Sequence, residues 1–223
     1  AAYQRLLEET VEPKWRYWVE RVVEEKMLHP RVVYGYYPCN ADRNDLVVFE
    51  PESERELTRF RLPRQPKGQR LCVADFFLPV ESGRRDLLAL QLVSMGEVAT
   101  RHCRELFGGD RYDEYLHFYG LSVEAAEALA EYWHKRIRQQ LSIAGEDALE
   151  IEALFKQGYR GSRYSFGYPA CPTLAHQEKL LPILGAERIG VSLTEDWQLV
   201  PEQSTTAIVC HHPMARYFNV TVG

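Results

Sequence analysis

Residues 159–172, YRGSRYSFGYPACP, bring charge, aromatic rings and stiff backbone together in one short stretch. Arg160 and Arg163 are interleaved with Tyr159, Tyr164 and Tyr168, and the second half holds Gly167, Pro169 and Pro172. A glycine lets the backbone turn sharply or come close to a ligand, and each proline fixes φ and removes a donor. Such a stretch suits neither a helix nor a plain strand. It fits a shaped loop that holds a small anionic ligand with an aromatic part, or an ordered surface turn with solvated arginines.

Other residues could join it. Glu127, Glu131 and His134 recur at i, i+4 and i+7 and so share one face of an expected helix; on pattern alone that face is a solvated one. Asp75 lies inside an apolar run. A carboxylate buried there needs a cation, a donor or water, so Asp75 either caps the following loop or awaits a cationic ligand group. Cys171 could be a nucleophile, but a small thiol packed under a proline turn is the expected role. With five cysteines and seven histidines a metal site is the next test, and no CxxC, HExxH or HxH spacing occurs. Nor is there a GxGxxG or GxxxxGK[ST] turn between a strand and a helix. A nucleoside ligand would therefore be held by something other than a Rossmann-type fold.

The whole chain sets limits on these options. Its 223 residues fit one large domain or two small ones, and 45% hydrophobic with 26% charged residues is ordinary globular composition. A net charge of −5 argues against a general nucleic-acid binder, which needs a basic face. No apolar run reaches bilayer length and no signal-peptide pattern opens the chain. Cys39, Cys72, Cys103, Cys171 and Cys210 are scattered and odd in number, as expected of reduced thiols in a cytoplasmic protein. The chain begins with Ala1-Ala2 rather than methionine, which is the form of a module taken from something longer.

The elements that must position these residues follow from periodicity. Residues 3–28 read as helix, divided at Pro13, and residues 1–30 form an N-terminal helical segment. Strands are expected at 32–37, stopped by Pro38, and at 46–49 and 56–62. Residues 61–70 read as an exposed loop, 71–77 as a strand carrying Asp75, and 87–93 as a buried strand. Helical spacing resumes from 96 to 141, interrupted at Gly120 and restarting near Ser122. A short amphipathic helix is expected over 146–157, another from Thr173 to a stop at Gly185, a strand entering a loop over 189–199, and a strand over 205–209. A bend and an aromatic strand close the chain over 210–222. Strands and helices come in blocks rather than in strict alternation. That makes the fold class α+β, a twisted, mostly antiparallel β-sheet flanked by helices, in one domain over residues 1–223.

At this point a family resemblance enters. The run from Arg163 through Gly167-Tyr168 to Cys171-Pro172 resembles the RxxxGYxACP signature of the C-terminal activation domain of cobalamin-dependent methionine synthase. In the same order, Ala74-Asp75-Phe76…Pro79 is similar to the family's ADF…P segment. Residues 126–138 (AEALAEYWHKRIR) resemble its acidic-then-basic helix, and Gly190–Glu195 with His212-Pro213…Tyr217-Phe218 its closing strands. The similarity runs from about Gly35 to the C-terminus. A further match, of His117–Gly120 to part of a corrinoid-binding DxHxxG motif, fails because Tyr115 stands where the aspartate belongs.

The resemblance implies a domain that binds S-adenosyl-L-methionine outside the nucleotide-fold methyltransferases. It would present the methyl group to cobalamin, carried by a partner domain or protein, after one-electron reduction of cob(II)alamin by flavodoxin or an equivalent reductase. By motif match Arg163 would hold the ligand's carboxylate and Asp75 its ammonium. Gly167, Tyr168, Tyr217 and Phe218 would flank the nucleoside or sulfonium, and Glu127 would sit near the sulfonium as the catalytic-site acid. Two positions depart from the family: Gln157 replaces a second acid, and Phe218 replaces the second tyrosine of a Tyr-Tyr pair. The remaining alternatives are a docking module that has lost its ligand and a stand-alone small-molecule methyltransferase.

Overall fold

The structure, a computed structural model, describes residue 5 and residues 7–220. Among these the main sheet has six strands in the order β3-β2-β1-β4-β8-β5, every neighbouring pair antiparallel. They are β1 (Arg31–Asp42), β2 (Asp45–Phe49), β3 (Glu56–Arg61), β4 (Asp86–Ser94), β5 (Ser162–Ser165) and β8 (Ser204–Cys210). The remaining pair, β6 (Ser192–Leu193) and β7 (Leu199–Val200), is a separate two-stranded hairpin.

The apolar run of β4 is explained by cover on both faces. Leu88, Leu90 and Leu92 enter the main core beside Phe60, Tyr164 and Leu180. Ala89 packs with Ile137 on the other face, where Gln91 donates to the Ala130 carbonyl at 3.0 Å. That second face is covered by the long helix α3 (Tyr112–Gln140). Alongside it lie α1 (Glu12–Glu24) and α2 (Glu97–Gly108), joined to α3 through Trp18, Val22, Leu106 and Phe118. The short α4 (Ile151–Phe155) and then α5 (Gln177–Leu184) follow, α5 stopping at Gly185 with φ +61°.

Several expectations need correction. The strand over 32–37 does not stop at Pro38, which pairs with Leu87 inside β1. On its other side β2 begins to pair only at Cys39, and proline is tolerated in a strand where its missing N–H faces no partner. Gly120 does not interrupt α3. A glycine there costs about 1 kcal/mol relative to alanine, which 29 residues of packed helix absorb; the break falls instead at Gly109. Residues 71–77 form no strand but a 3-10 turn, Val73–Phe76. Residues 146–157 are helical only over Ile151–Phe155, with Leu149 and Phe155 exposed. The region 189–199, expected as a strand entering a loop, holds the short β6 and the turn that leads into β7, whereas residues 211–220 run without strand pairing. Residues 221–222 and part of the expected N-terminal helix lie outside the described residues. The five cysteines are buried and free. No helix among the described residues is long and apolar enough to cross a membrane.

Candidate functional site

The site is built on the outer edge of the sheet. At Gly161 the chain enters β5 with φ +90°, and a Cβ there would lie 2.3 Å from the Cys210 carbonyl oxygen. Only glycine permits that approach. β5 then pairs with β8 from Ser162↔Cys210 to Ser165↔Ala207, and the Phe166 N–H continues the ladder to the Thr206 carbonyl at 3.2 Å. In an antiparallel ladder alternate residues direct both backbone groups to the partner strand. Ser162, Tyr164 and Phe166 therefore bond to β8, while Arg163 and Ser165 present theirs to the outer edge. There the Ser165 carbonyl accepts the Tyr168 N–H. Gly167 closes the turn at φ +87°, its N–H bonded to the Cys171 carbonyl at 2.9 Å.

Side chains of β5 alternate between the sheet's faces. Arg163 points to α3 and is mostly buried. Its Nη2 donates to Glu127 Oε2 at 2.7 Å, its Nε to Glu131 Oε1 at 3.0 Å and its Nη1 to Ser165 Oγ at 2.8 Å. The Tyr168 hydroxyl donates to Glu127 Oε1 at 3.1 Å. Burial and the adjacent Glu127 push that hydroxyl's pKa up, so it remains a donor. Burial pushes the Glu131 carboxyl up as well, but the His134 ring and the Arg163 guanidinium outweigh it and keep it ionised well below the usual carboxylate range. The Glu127–Glu131–His134 stripe is therefore solvated only in part: Glu131 is half exposed, but His134 is completely buried, with its ring edge-on to Tyr159 at 5.2 Å.

Tyr164 points the other way. Its ring stacks on Phe76 at 6.1 Å and 5°, and its hydroxyl donates to the Arg216 carbonyl at 2.9 Å. This places the 3-10 turn carrying Asp75 on the face of β5 opposite Arg163. Asp75 caps its own turn by accepting from the Cys72 N–H at 2.9 Å and forms a two-point pair with Arg64, at 2.7 and 2.6 Å. Arg64 comes from the stretch expected to be a plain exposed loop; it is anchored by Asn44 Oδ1 at 2.9 Å and the Arg70 carbonyl at 2.7 Å. Asp75 thus both caps and binds a cation, although the cation is internal.

The final segment wraps the same edge. Phe218 is buried against Phe76 and Tyr164, whereas Tyr217 is exposed. Gln157 uses both halves of its amide here. Its Oε1 accepts the Tyr217 N–H at 2.9 Å, and its Nε2 donates to Ser162 Oγ at 3.1 Å. Gln65 Nε2 ties the Arg64 loop to the Asn219 carbonyl at 2.7 Å. Structure therefore joins Arg163, Glu127 and Tyr168 by direct bonds and gathers Asp75 and Phe218 on the opposite face. Among the described residues no contact links Asp75 to Arg163. Cys171 is fully buried, and burial raises its thiol to about 12, so it is packing.

A cavity of about 790 Å³ opens beside this cluster, lined by Tyr115, Tyr119, Glu127, Phe166, Tyr168 and Gln203 among others. It meets the site at Glu127 and Tyr168. Pattern alone misses Arg64, which nothing local marks; Glu131 and His134 are visible through their i, i+4, i+7 spacing but read as a solvated face.

Comparison with known proteins identifies the family. Residues 13–222 match the family described as vitamin B12 dependent methionine synthase, activation domain. The chain is 46% identical to methionine synthase of Mycobacterium tuberculosis (strain ATCC 25618 / H37Rv) over 98% of its own length and 20% of that protein's. For methionine synthase of Mycobacterium leprae (strain TN) the identity is 44%, over 98% and 19%. The chain thus spans about a fifth of the length of these curated relatives. Among solved structures, a MetH reactivation domain bound to AdoHcy superposes with a TM-score of 0.88 at 27% identity, covering 98% of this chain and 72% of that one. With a sheet edge, an arginine–carboxylate cluster and a sequence match over nearly the whole chain in agreement, the protein belongs to the family of activation domains of vitamin B12-dependent methionine synthase.

Proposed function

We propose that this chain binds S-adenosylmethionine across the outer edge of β5 and presents its methyl group for reductive reactivation of the cobalamin of methionine synthase. The observation that carries this is the arginine cluster itself. Arg163 offers a planar fork of donors suited to a carboxylate, between two acids suited to an ammonium or sulfonium and on a strand whose outer edge pairs with no further strand. The structural relative with its bound AdoHcy supports the same ligand class.

In this proposal Arg163 holds the ligand's carboxylate and Asp75 its ammonium, after each gives up its internal partner. The two lie on opposite sides of β5, so the ligand must cross the strand's free edge to meet both. Gly167 shapes the turn, Tyr168 and Tyr217 flank the nucleoside, and Phe218 acts from beneath by holding Phe76 and Tyr164 in place. Glu127 faces the sulfonium from α3. S-adenosylmethionine supplies a methyl group already activated on sulfur, so the protein needs no general base. Its task is positioning and the control of charge. The cavity at Glu127 and Tyr168 is the approach left open for the acceptor, a reduced cobalamin on another module in cis or in trans, with flavodoxin or an equivalent reductase as electron source in the cytoplasm. Residues 1–223 act as one unit that binds its ligand but does not turn over alone.

Calorimetric titration with S-adenosylmethionine tests the binding. Wild type should give saturable heat and Arg163→Ala little or none; absence of heat from both proteins would refute the proposal. Adding a cobalamin-loaded partner and a reductant should then give methylcobalamin only when both are present.

A further inference from the structure

Behind Arg163 lies a buried group with no assigned task. His134 is completely enclosed, and among the described residues neither of its ring nitrogens has a hydrogen-bond partner. Its Nδ1 stands 3.6 Å from Glu131 Oε2, too far for a well-formed bond. Charged and titratable groups bear on it from three elements. Glu131 and Arg138 come from α3, Tyr159 presents its ring from the preceding loop, and Arg163 approaches from β5. Asp147 takes up the charge of Arg138 with bonds at 3.0 and 2.8 Å, and the Tyr159 ring lies 4.1 Å from the guanidinium carbon of Arg138. Glu131 is satisfied by Arg163 Nε, at 3.0 Å. Burial keeps His134 below its ordinary value, so the free site holds it neutral.

Ligand capture upsets that balance. If Arg163 turns its donors to an incoming carboxylate, Glu131 loses its partner while remaining beside an imidazole that has two unused nitrogens. We propose that His134 takes up one proton from solvent as the ligand binds, and that the resulting imidazolium, donating through Nδ1–H, replaces Arg163 as the cation beside Glu131. The bonds balance. Arg163–Glu131 is exchanged for Arg163–ligand carboxylate plus His134–Glu131, and the buffer supplies the proton. Glu131 is half exposed on its other side and carries the proton inward. His134 is thus a positioning residue whose charge state follows ligand occupancy. The inference rests on the S-adenosylmethionine proposal above.

Proton uptake is measured by repeating the calorimetric titration with S-adenosylmethionine in buffers of different ionisation enthalpy. A pH of about 6.5 keeps the ligand's own amino group protonated, since α-amino groups titrate near 7.7–8.0. Wild type should show net uptake of a sizeable fraction of one proton, and affinity should strengthen by up to about tenfold per pH unit as the pH falls through this window. In Glu131→Gln, whatever its affinity, the heat should be independent of buffer. His134→Gln should behave the same way if circular dichroism shows it folded. Buffer-independent heat in wild type, or equal uptake in wild type and Glu131→Gln, would overturn the inference. Absence of heat in every buffer would overturn the ligand assignment itself, and this inference with it.

Discussion

The two charged ends of the site are built differently. Arg163 sits on a paired strand, buried, and is held by acids one turn apart on a 29-residue helix. Asp75 sits on a four-residue 3-10 turn, and its partner Arg64 extends from a loop without regular structure. At the first end geometry is set by packed elements. At the second, the pair joins a turn to a loop and holds no strand of the sheet, and Arg64 keeps its bonds to Asn44 and the Arg70 carbonyl if the pair opens. On the proposed binding mode this difference would assign labour: the Arg163 end would fix the ligand's position, and the Asp75 end would open by release of Arg64.

The largest expected effect comes from breaking the rigid end. Arg163→Ala removes the carboxylate fork and leaves Glu127 and Glu131 facing each other without a cation. Affinity for S-adenosylmethionine should fall by about 100-fold or more, measured by calorimetry. Asp75→Asn keeps the turn's shape but loses one charge at the exposed end, and should cost only about tenfold. If the two losses were equal, the contrast between the ends would fail.

A smaller effect concerns pH. His134 is held below its ordinary value by burial, as are His102 and His176. Below about 6.5 the unfolded chain binds these protons and the folded chain does not. Stability is therefore full above that pH and declines as pH falls toward the folded values. Glu131, held low in the fold, adds a second loss in the same direction once pH drops below the usual carboxylate range. Thermal unfolding followed from pH 7 to 5.5 should show the midpoint falling by a few degrees, with a shallower slope in His134→Gln. The smallest effect tests the release of Arg64. Arg64→Ala should tighten ligand binding by about two- to fivefold, because the ligand no longer competes with an internal cation; weaker binding would mean that Arg64 itself contacts the ligand.

Much of this was legible before the structure. Strands β2, β4 and β8 stood out because apolar runs bounded by turns leave few alternatives. In the 159–172 stretch the turn from Gly167 to Pro172 stood out because glycine and proline rarely cluster without a shaped backbone, but Ser162–Ser165, expected as loop, is the edge strand β5, which tertiary pairing with β8 imposes. Three features were hidden for physical reasons. Gly120 looked like a break because local propensity opposes helix there, whereas packing along α3 decides. Asp75 looked like a strand residue because four apolar neighbours flank it, and only the tertiary fold shows them closing a turn. His134 looked solvated because helical spacing identifies a shared face but not what covers it; the covering elements, Tyr159 and Arg163, lie more than twenty residues later. Gln157, a departure from the family's pattern, also gained a role that needed coordinates: donor and acceptor at once between Ser162 and Tyr217.

The most direct test is a crystal structure of this chain soaked with S-adenosylmethionine. The account predicts the ligand lying across the β5 edge, its carboxylate on the Arg163 guanidinium, with Asp75 released from Arg64 and Glu131 turned toward His134. A ligand bound with the Arg163–Glu131 and Arg64–Asp75 pairs both intact would contradict it.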